Sequence, residues 1–295
     1  MESLERNALM PVARLALLAA VLATGSQASA TRPSLSEVEG VGKALFEQDR
    51  AAWLATDRLV ESNGRPPDGL RGWVTVPSGD GWRVIFVQGE GDAYCSMLSV
   101  MVDATGAGPL RRSDTCEPLT TDQRAMFLAR QTAISALRAR CSESYNTVVL
   151  PTDGQEGVWA VYLLAATKEA GKVVVGGHVR VLVGDGGLEI VDYQALSNGC
   201  LILDLPSPTA DTPVALVATH VLNDHPIETH VFLSFLHGLS LYVMTERALW
   251  SVDKGNIRLL MDGKDFKAYI RKARAHVPRS SRASRRGGTG AGPPP

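Results

Sequence analysis

The chain has 295 residues, 45% of them hydrophobic, and a formal net charge of −1. That is ample for a buried core and ordinary for a globular protein. No segment after residue 30 approaches the ~20 apolar residues that a membrane-spanning helix needs, which excludes a helical span there. The charge is uneven, however. Residues 271–286 carry Arg271, Lys272, Arg274, Arg279, Arg282, Arg285 and Arg286 with no acidic residue, leaving −8 on residues 31–270.

The first thirty residues have the order of an export signal. Arg14 precedes the apolar run Leu15 to Ala23, and Ala28-Ser29-Ala30 supplies small residues at the cleavage spacing. Cleavage after Ala30 leaves Thr31 first, and because Thr31 is not cysteine a lipid anchor is not expected. This places the protein in the periplasm or outside the cell. The four cysteines, Cys95, Cys116, Cys141 and Cys200, all follow the signal. An even count in an oxidising compartment favours two disulfides. Three connectivities are open, and Cys95–Cys116 with Cys141–Cys200 is favoured because each pair brackets one structural unit. No C-x-x-C pair supports a thioredoxin-like or zinc-ribbon reading.

Ser34 with Glu37 forms a capping-box pattern, and Val38, Val41, Leu45, Ala52 and Leu59 follow at helical spacing. Glu47, Asp49, Arg50 and Asp57 are left for a wetter face. Asn63-Gly64 and Pro66-Pro67 end this helix. Alternating segments at Gly72–Val76 and Trp82–Gln88, with a longer run at Ala93–Val102, then predict an antiparallel meander. A second capping pattern, Thr120 with Gln123, opens a helix with an apolar face of Phe127, Ile134, Leu137 and Cys141. Strands are predicted at Thr147–Leu150, Gly157–Ala166 and Lys172–Val183.

The repeated order suggests two αβββ units, residues 31–118 and 119–205, from an old duplication. After a polar linker at 206–213, strands are predicted around Val214–His220, Glu228–Leu236, Leu239–Thr245, Leu249–Val252 and Ile257–Met261. They make an all-antiparallel extension over 206–275, with Asp265–Ala275 as a short terminal helix. Residues 276–295 are a solvated basic, Gly- and Pro-rich tail, able to make weak contact with anionic surfaces. The expected fold class is α+β, with antiparallel sheets covered by two amphipathic helices.

Four of six histidines fall within eighteen residues: His220, His225, His230 and His237. Imidazole suits zinc or copper. On strands, however, His225 and His230 point to opposite faces, as do His230 and His237, so no metal or other cofactor is assigned. Glu228 and His230, two apart on one strand, share a face as a weak acid/base pair. Gly176-Gly177 inside a strand marks a bulge or close backbone approach that turns His178 and Arg180 toward a pocket. The candidate pocket is therefore His178, Arg180, His220, Glu228 and His230. No catalytic residue is assigned, because G-x-S-x-G, H-E-x-x-H, phosphate-loop and dinucleotide fingerprints are all missing.

Asp49-Arg50-Ala51-Ala52-Trp53, Tyr145-Asn146-Thr147-Val148-Val149, Gly176-Gly177-His178 and His225-Pro226-Ile227-Glu228-Thr229-His230-Val231 resemble an uncharacterised family of exported proteobacterial proteins. That resemblance brings no activity with it. The helix-then-meander order is similar in topology to PepSY-type periplasmic modules, which implies peptidase inhibition or ligand binding and carries over no site residue. The sequence thus points to a non-enzymatic binding or accessory protein, its partner a protein, peptide or small molecule. The alternative is a hydrolase or metal-dependent enzyme using the histidine-rich region.

Overall fold

Ser34 accepts from the Glu37 backbone while Glu37 reaches back to the Ser34 N–H, and this reciprocal cap starts α1 (Leu35–Asn63). At 1.5 Å per residue the helix is about 43 Å long. It stops at Gly64, whose φ of 74° is the left-handed geometry that glycine adopts without a Cβ clash. In this computed structural model residues 32–138, 140–205 and 215–275 are described. The expected export segment and cleavage site, the expected 206–213 linker and the tail from 276 lie outside them.

The first sheet contains β1 (Leu70–Ser78), β2 (Gly81–Gln88), β3 (Cys95–Asp103), β4 (Gly106–Ala107) and β5 (Arg111–Pro118). Its antiparallel order is β1-β2-β3-β4, with β5 also paired to β3. A second capping box, Thr120 with Gln123, opens α2 (Thr121–Ser135). Then come β6 (Ser144–Pro151), β7 (Trp159–Ala166), β8 (Lys172–Val174), β9 (Val179–Gly184), β10 (Glu189–Ala195) and β11 (Ile202–Asp204). The second sheet runs β10-β9-β7-β6, and β8 pairs with β11 as a separate ribbon. A helix followed by an antiparallel meander therefore occurs twice, and the α+β class holds.

Both central strands are covered on both faces, so β2 buries Val84 to Val87 without a break instead of in the alternation expected of Trp82–Gln88, and β7 is buried in the same way. Helix α2 lies between the sheets, with Phe127 and Ala129 packed with Ile85 and Val87 of the first and Val161 and Leu163 of the second. Helix α1 serves both sheets from their other faces. Its first half, with Val38 and Leu45, shares a core with Val148, Tyr162 and Leu164. Its second half, with Ala55 and Leu59, shares one with Val84, Phe86 and Val100.

The predicted strand Lys172–Val183 is broken between β8 and β9. A Cβ on Gly177 would lie 2.3 Å from the Cys141 Cβ, and one on Gly176 would lie 2.4 Å from the Gly199 carbonyl oxygen. The paired glycines make room for the Cys141–Cys200 disulfide and its loop, a close backbone approach. Cys95 and Cys116 form the second bond, joining β3 to β5. Cys141 does not belong to the second helix, which stops at Ser135; its N–H instead donates to the Tyr145 hydroxyl.

The last third corrects the sequence reading most. Residues 228–236 are not a strand but most of α3 (Glu228–His237), which connects β12 (Ala215–Thr219) to β13 (Ser240–Met244). These two strands are parallel, so the extension is a crossover unit rather than all antiparallel. Strands β14 (Ala248–Asp253) and β15 (Asn256–Asp262) complete its sheet, followed by α4 (Gly263–Ala275). Residues Glu228 to Ser234 are buried without interruption, so no face of the helix shows a polar stripe. Helix α1 crosses α3 at Gly42, where a Cβ would sit 2.4 Å from the Val231 Cβ.

Candidate functional site

The five residues of the expected pocket fall into two neighbouring groups. Tyr162 of β7 and Arg180 of β9 are cross-strand partners, and the amino-terminal end of α3 lowers Glu228 between them. The Tyr162 hydroxyl donates to Glu228 Oε1 at 3.0 Å, and an Arg180 guanidinium nitrogen lies 3.7 Å from the same oxygen. Arg180 also donates to the Gln194 side-chain carbonyl. Burial pushes the Tyr162 hydroxyl well above the ordinary phenol range, and the Glu228 charge adds to this. Glu228 also opens a helix, where a negative charge meets the unpaired N–H groups favourably.

The second group is histidine. His178 Nδ1 accepts from the Ala165 N–H at 3.0 Å, and His230 Nδ1 accepts from the Ile227 N–H at 3.0 Å. His230 thus caps its own helix, taking the part that Glu or Gln plays in a capping box. Burial lowers the His178 pKa to about 4. It lowers that of His230 to about 3, helped by His220 and His178. His220, at the end of β12, meets the His230 ring edge to face at 5.0 Å, and burial with His225 nearby lowers its pKa as well. A strand pairing of Glu228 with His230 does not occur: Glu228 engages Tyr162 and Arg180, while His230 engages Ile227 and His220.

These contacts fix the tautomers. A neutral imidazole whose Nδ1 accepts carries its proton on Nε2. His178 and His230 therefore present N–H donors at Nε2, not lone pairs that a metal ion would take. Among the described residues no group of three or more His, Cys, Asp or Glu converges in a metal-holding arrangement. Among the described residues His220 Nε2 has no hydrogen-bond partner, while the His178 ring interacts with the Val174 backbone. A cavity of about 180 Å³ lies beside His220 and His230.

A larger concavity lies elsewhere, where α1 passes from one sheet to the other. It holds about 600 Å³, within the usual range for small-molecule sites. Phe46, Asp49, Arg50 and Trp53 of α1 line it, with Trp73 of β1, Asn146 of β6 and Phe235 of α3. Phe46 stacks on Phe235 with ring centroids 5.3 Å apart. Arg130 of α2 covers a Trp73 face at 4.4 Å and is held by a bond to the Thr147 hydroxyl. Trp53 is 60% exposed, a large apolar ring standing in solvent at the cleft.

Asp49 is the chemical centre of this cleft. Although the sequence places it on the wetter face of α1, it is only 7% exposed. Burial raises its pKa to about 6, and a hydrogen bond from Asn146 opposes the rise. Among the described residues no Lys or Arg makes an ion pair with it. Arg50, its sequence neighbour, donates instead to the Asp103 backbone carbonyl at 3.2 Å. The signal for Asp49 was present in the pattern: it falls four residues after Leu45 and three before Ala52, within the apolar stripe.

Comparison with protein-family models, with curated proteins and with solved structures finds no match to this chain.

Proposed function

We propose that this is an exported binding protein of the periplasm or extracellular space, and that the cleft between α1, β1, β6 and α3 takes a small ligand or side chain with an apolar or aromatic body. The observation that carries this reading is the cleft itself: about 600 Å³ walled by Phe46, Trp53, Trp73 and Phe235, with a few polar groups at fixed positions. Two intramolecular disulfides fit an oxidising compartment. No helix among the described residues is long and apolar enough to cross a membrane. Binding rather than catalysis is favoured because His178 and His230 are committed to backbone N–H groups and no histidine lines the cleft among the described residues.

The uncharged fluorophore N-phenyl-1-naphthylamine tests this reading, since its emission rises in apolar surroundings. One equivalent should bind, and Trp53→Ala with Phe235→Ala should abolish the signal while the circular dichroism spectrum stays unchanged. Undiminished emission in that double variant would place the apolar site elsewhere.

A further inference from the structure

We infer that the cleft selects a cationic ligand: a protonated amine or quaternary ammonium group carried on an aromatic or apolar body, with the Asp49 carboxylate as its counter-charge. This rests on the binding reading above and adds the charge of the ligand. Asp49 is nine-tenths buried, faces the cleft, accepts a hydrogen bond from Asn146, and makes no ion pair among the described residues. A buried carboxylate without a cation is costly unless something supplies the missing positive charge. The surrounding rings suit the same guest, because the faces of Trp53 and Trp73 attract cations. Arg130 already occupies one such face of Trp73, which shows the geometry in use within the chain.

The other charged groups nearby do not fill the role. Arg50 lines the cleft from α1, but its guanidinium is drawn to the Asp103 carbonyl. Arg130 of α2 is tied to Thr147. His237, at the end of α3, lines the adjoining cavity with Asn146, and its burial lowers its pKa toward the neutral form. With the Asp49 pKa raised to about 6, a cation that favours the ionised carboxylate must expel the remaining proton, so affinity follows the carboxylate population.

Three probes with one bicyclic body separate charge from shape: 2-(1-naphthyl)ethylamine, 2-(1-naphthyl)ethanol and 1-naphthylacetate, titrated calorimetrically into the full chain. At pH 7.5 the amine should bind at least tenfold more tightly than the alcohol, with the acetate weakest. That advantage should vanish in Asp49→Asn and shrink as pH falls from 7 to 5. Amine and alcohol binding equally, or an advantage retained in Asp49→Asn, would overturn the cationic assignment and leave the cleft as a neutral apolar site. The acetate binding best would overturn it in favour of Arg50. Binding of none of the three at millimolar concentration would overturn the binding reading as well.

Discussion

Asp49 and Glu228 are both buried carboxylates, 7% and 8% exposed, on helices that cross each other. Glu228 sits at a helix amino terminus, accepts from Tyr162 and faces Arg180. Asp49 sits near the middle of a helix, with Asn146 as its hydrogen-bonding neighbour and no ion pair among the described residues. The first is compensated from three directions by its own chain. The second is compensated from one and opens onto a cleft. A charge whose partners are all internal holds elements in register, whereas one whose counter-charge is missing is an opening for something that arrives from outside.

The largest expected effect breaks the compensated side. Glu228→Ala leaves Tyr162 and Arg180 facing an empty place, and should cost about 3 kcal/mol in urea unfolding at pH 7.5. A cost near zero would mean that the two carboxylates are less different than their surroundings suggest.

Asp49→Asn should act in the opposite direction. The folded pKa of about 6 stands above the ordinary 3.8, so the folded state holds the proton more tightly. Stability from this group is fully present below pH 4 and is lost as pH rises through 6. By that difference the variant should gain up to about 3 kcal/mol at pH 7.5 and nothing at pH 4. Paired unfolding curves at the two pH values measure it, and a destabilised variant at pH 7.5 would show that Asp49 is a structural partner after all.

The acid limb of the stability curve sharpens the contrast further. His178 and His230 have folded pKa values of about 4 and about 3, below the ordinary 6.5. Their stability is present above pH 6.5 and is lost as pH falls, opposite in sign to Asp49. Between pH 4 and 6 the intact protein should therefore lose stability on acidification, and Asp49→Asn should lose it more steeply by about 1 kcal/mol per pH unit, close to one proton. Parallel limbs would remove Asp49 from the titration.

The smallest effect belongs to Trp53→Ala. With the ring mostly in solvent, unfolding stability should change by no more than about 0.5 kcal/mol, while naphthylamine emission falls sharply. A larger loss of stability would make Trp53 part of the core rather than of the cleft.

Much of this architecture is local, and the local part is legible. Ser34–Glu37 and Thr120–Gln123 announce two helix starts because a capping box is written in four residues. Trp82–Gln88 and Trp159–Ala166 read as strands because strand formers run between turn residues. Strand β5, with the sequence RRSDTCEP, has no apolar face to announce it; pairing with β3 and the Cys95–Cys116 bond hold it. Helix α3 departs from the strand expected at Glu228–Leu236 because ETHVFLSFLH is buried nearly all round, and a short apolar run does not separate helix from strand by period. Asp49 departs from the wetter face expected of it for a related reason. Residue type suggested solvent, while its phase with Leu45 and Ala52 said core.

The cross-over at Gly42 has a consequence for the order in which the chain assembles. The amino-terminal half of α1 finds its partners in Val231 of α3 and in Ile257, whose N–H donates to Glu39 Oε1 at 2.6 Å across 218 residues. Because those partners are so distant in sequence, local contacts can form α1 well before this surface assembles. Until then the stripe from Val38 to Leu45 has only Val148, Tyr162 and Leu164 of the second sheet to rest on, so the first helix in the chain is among the last to be fully seated. A chain truncated before residue 228 leaves the α3-facing side of that stripe open to a holding chaperone, and the docking of α3 is the step that closes it.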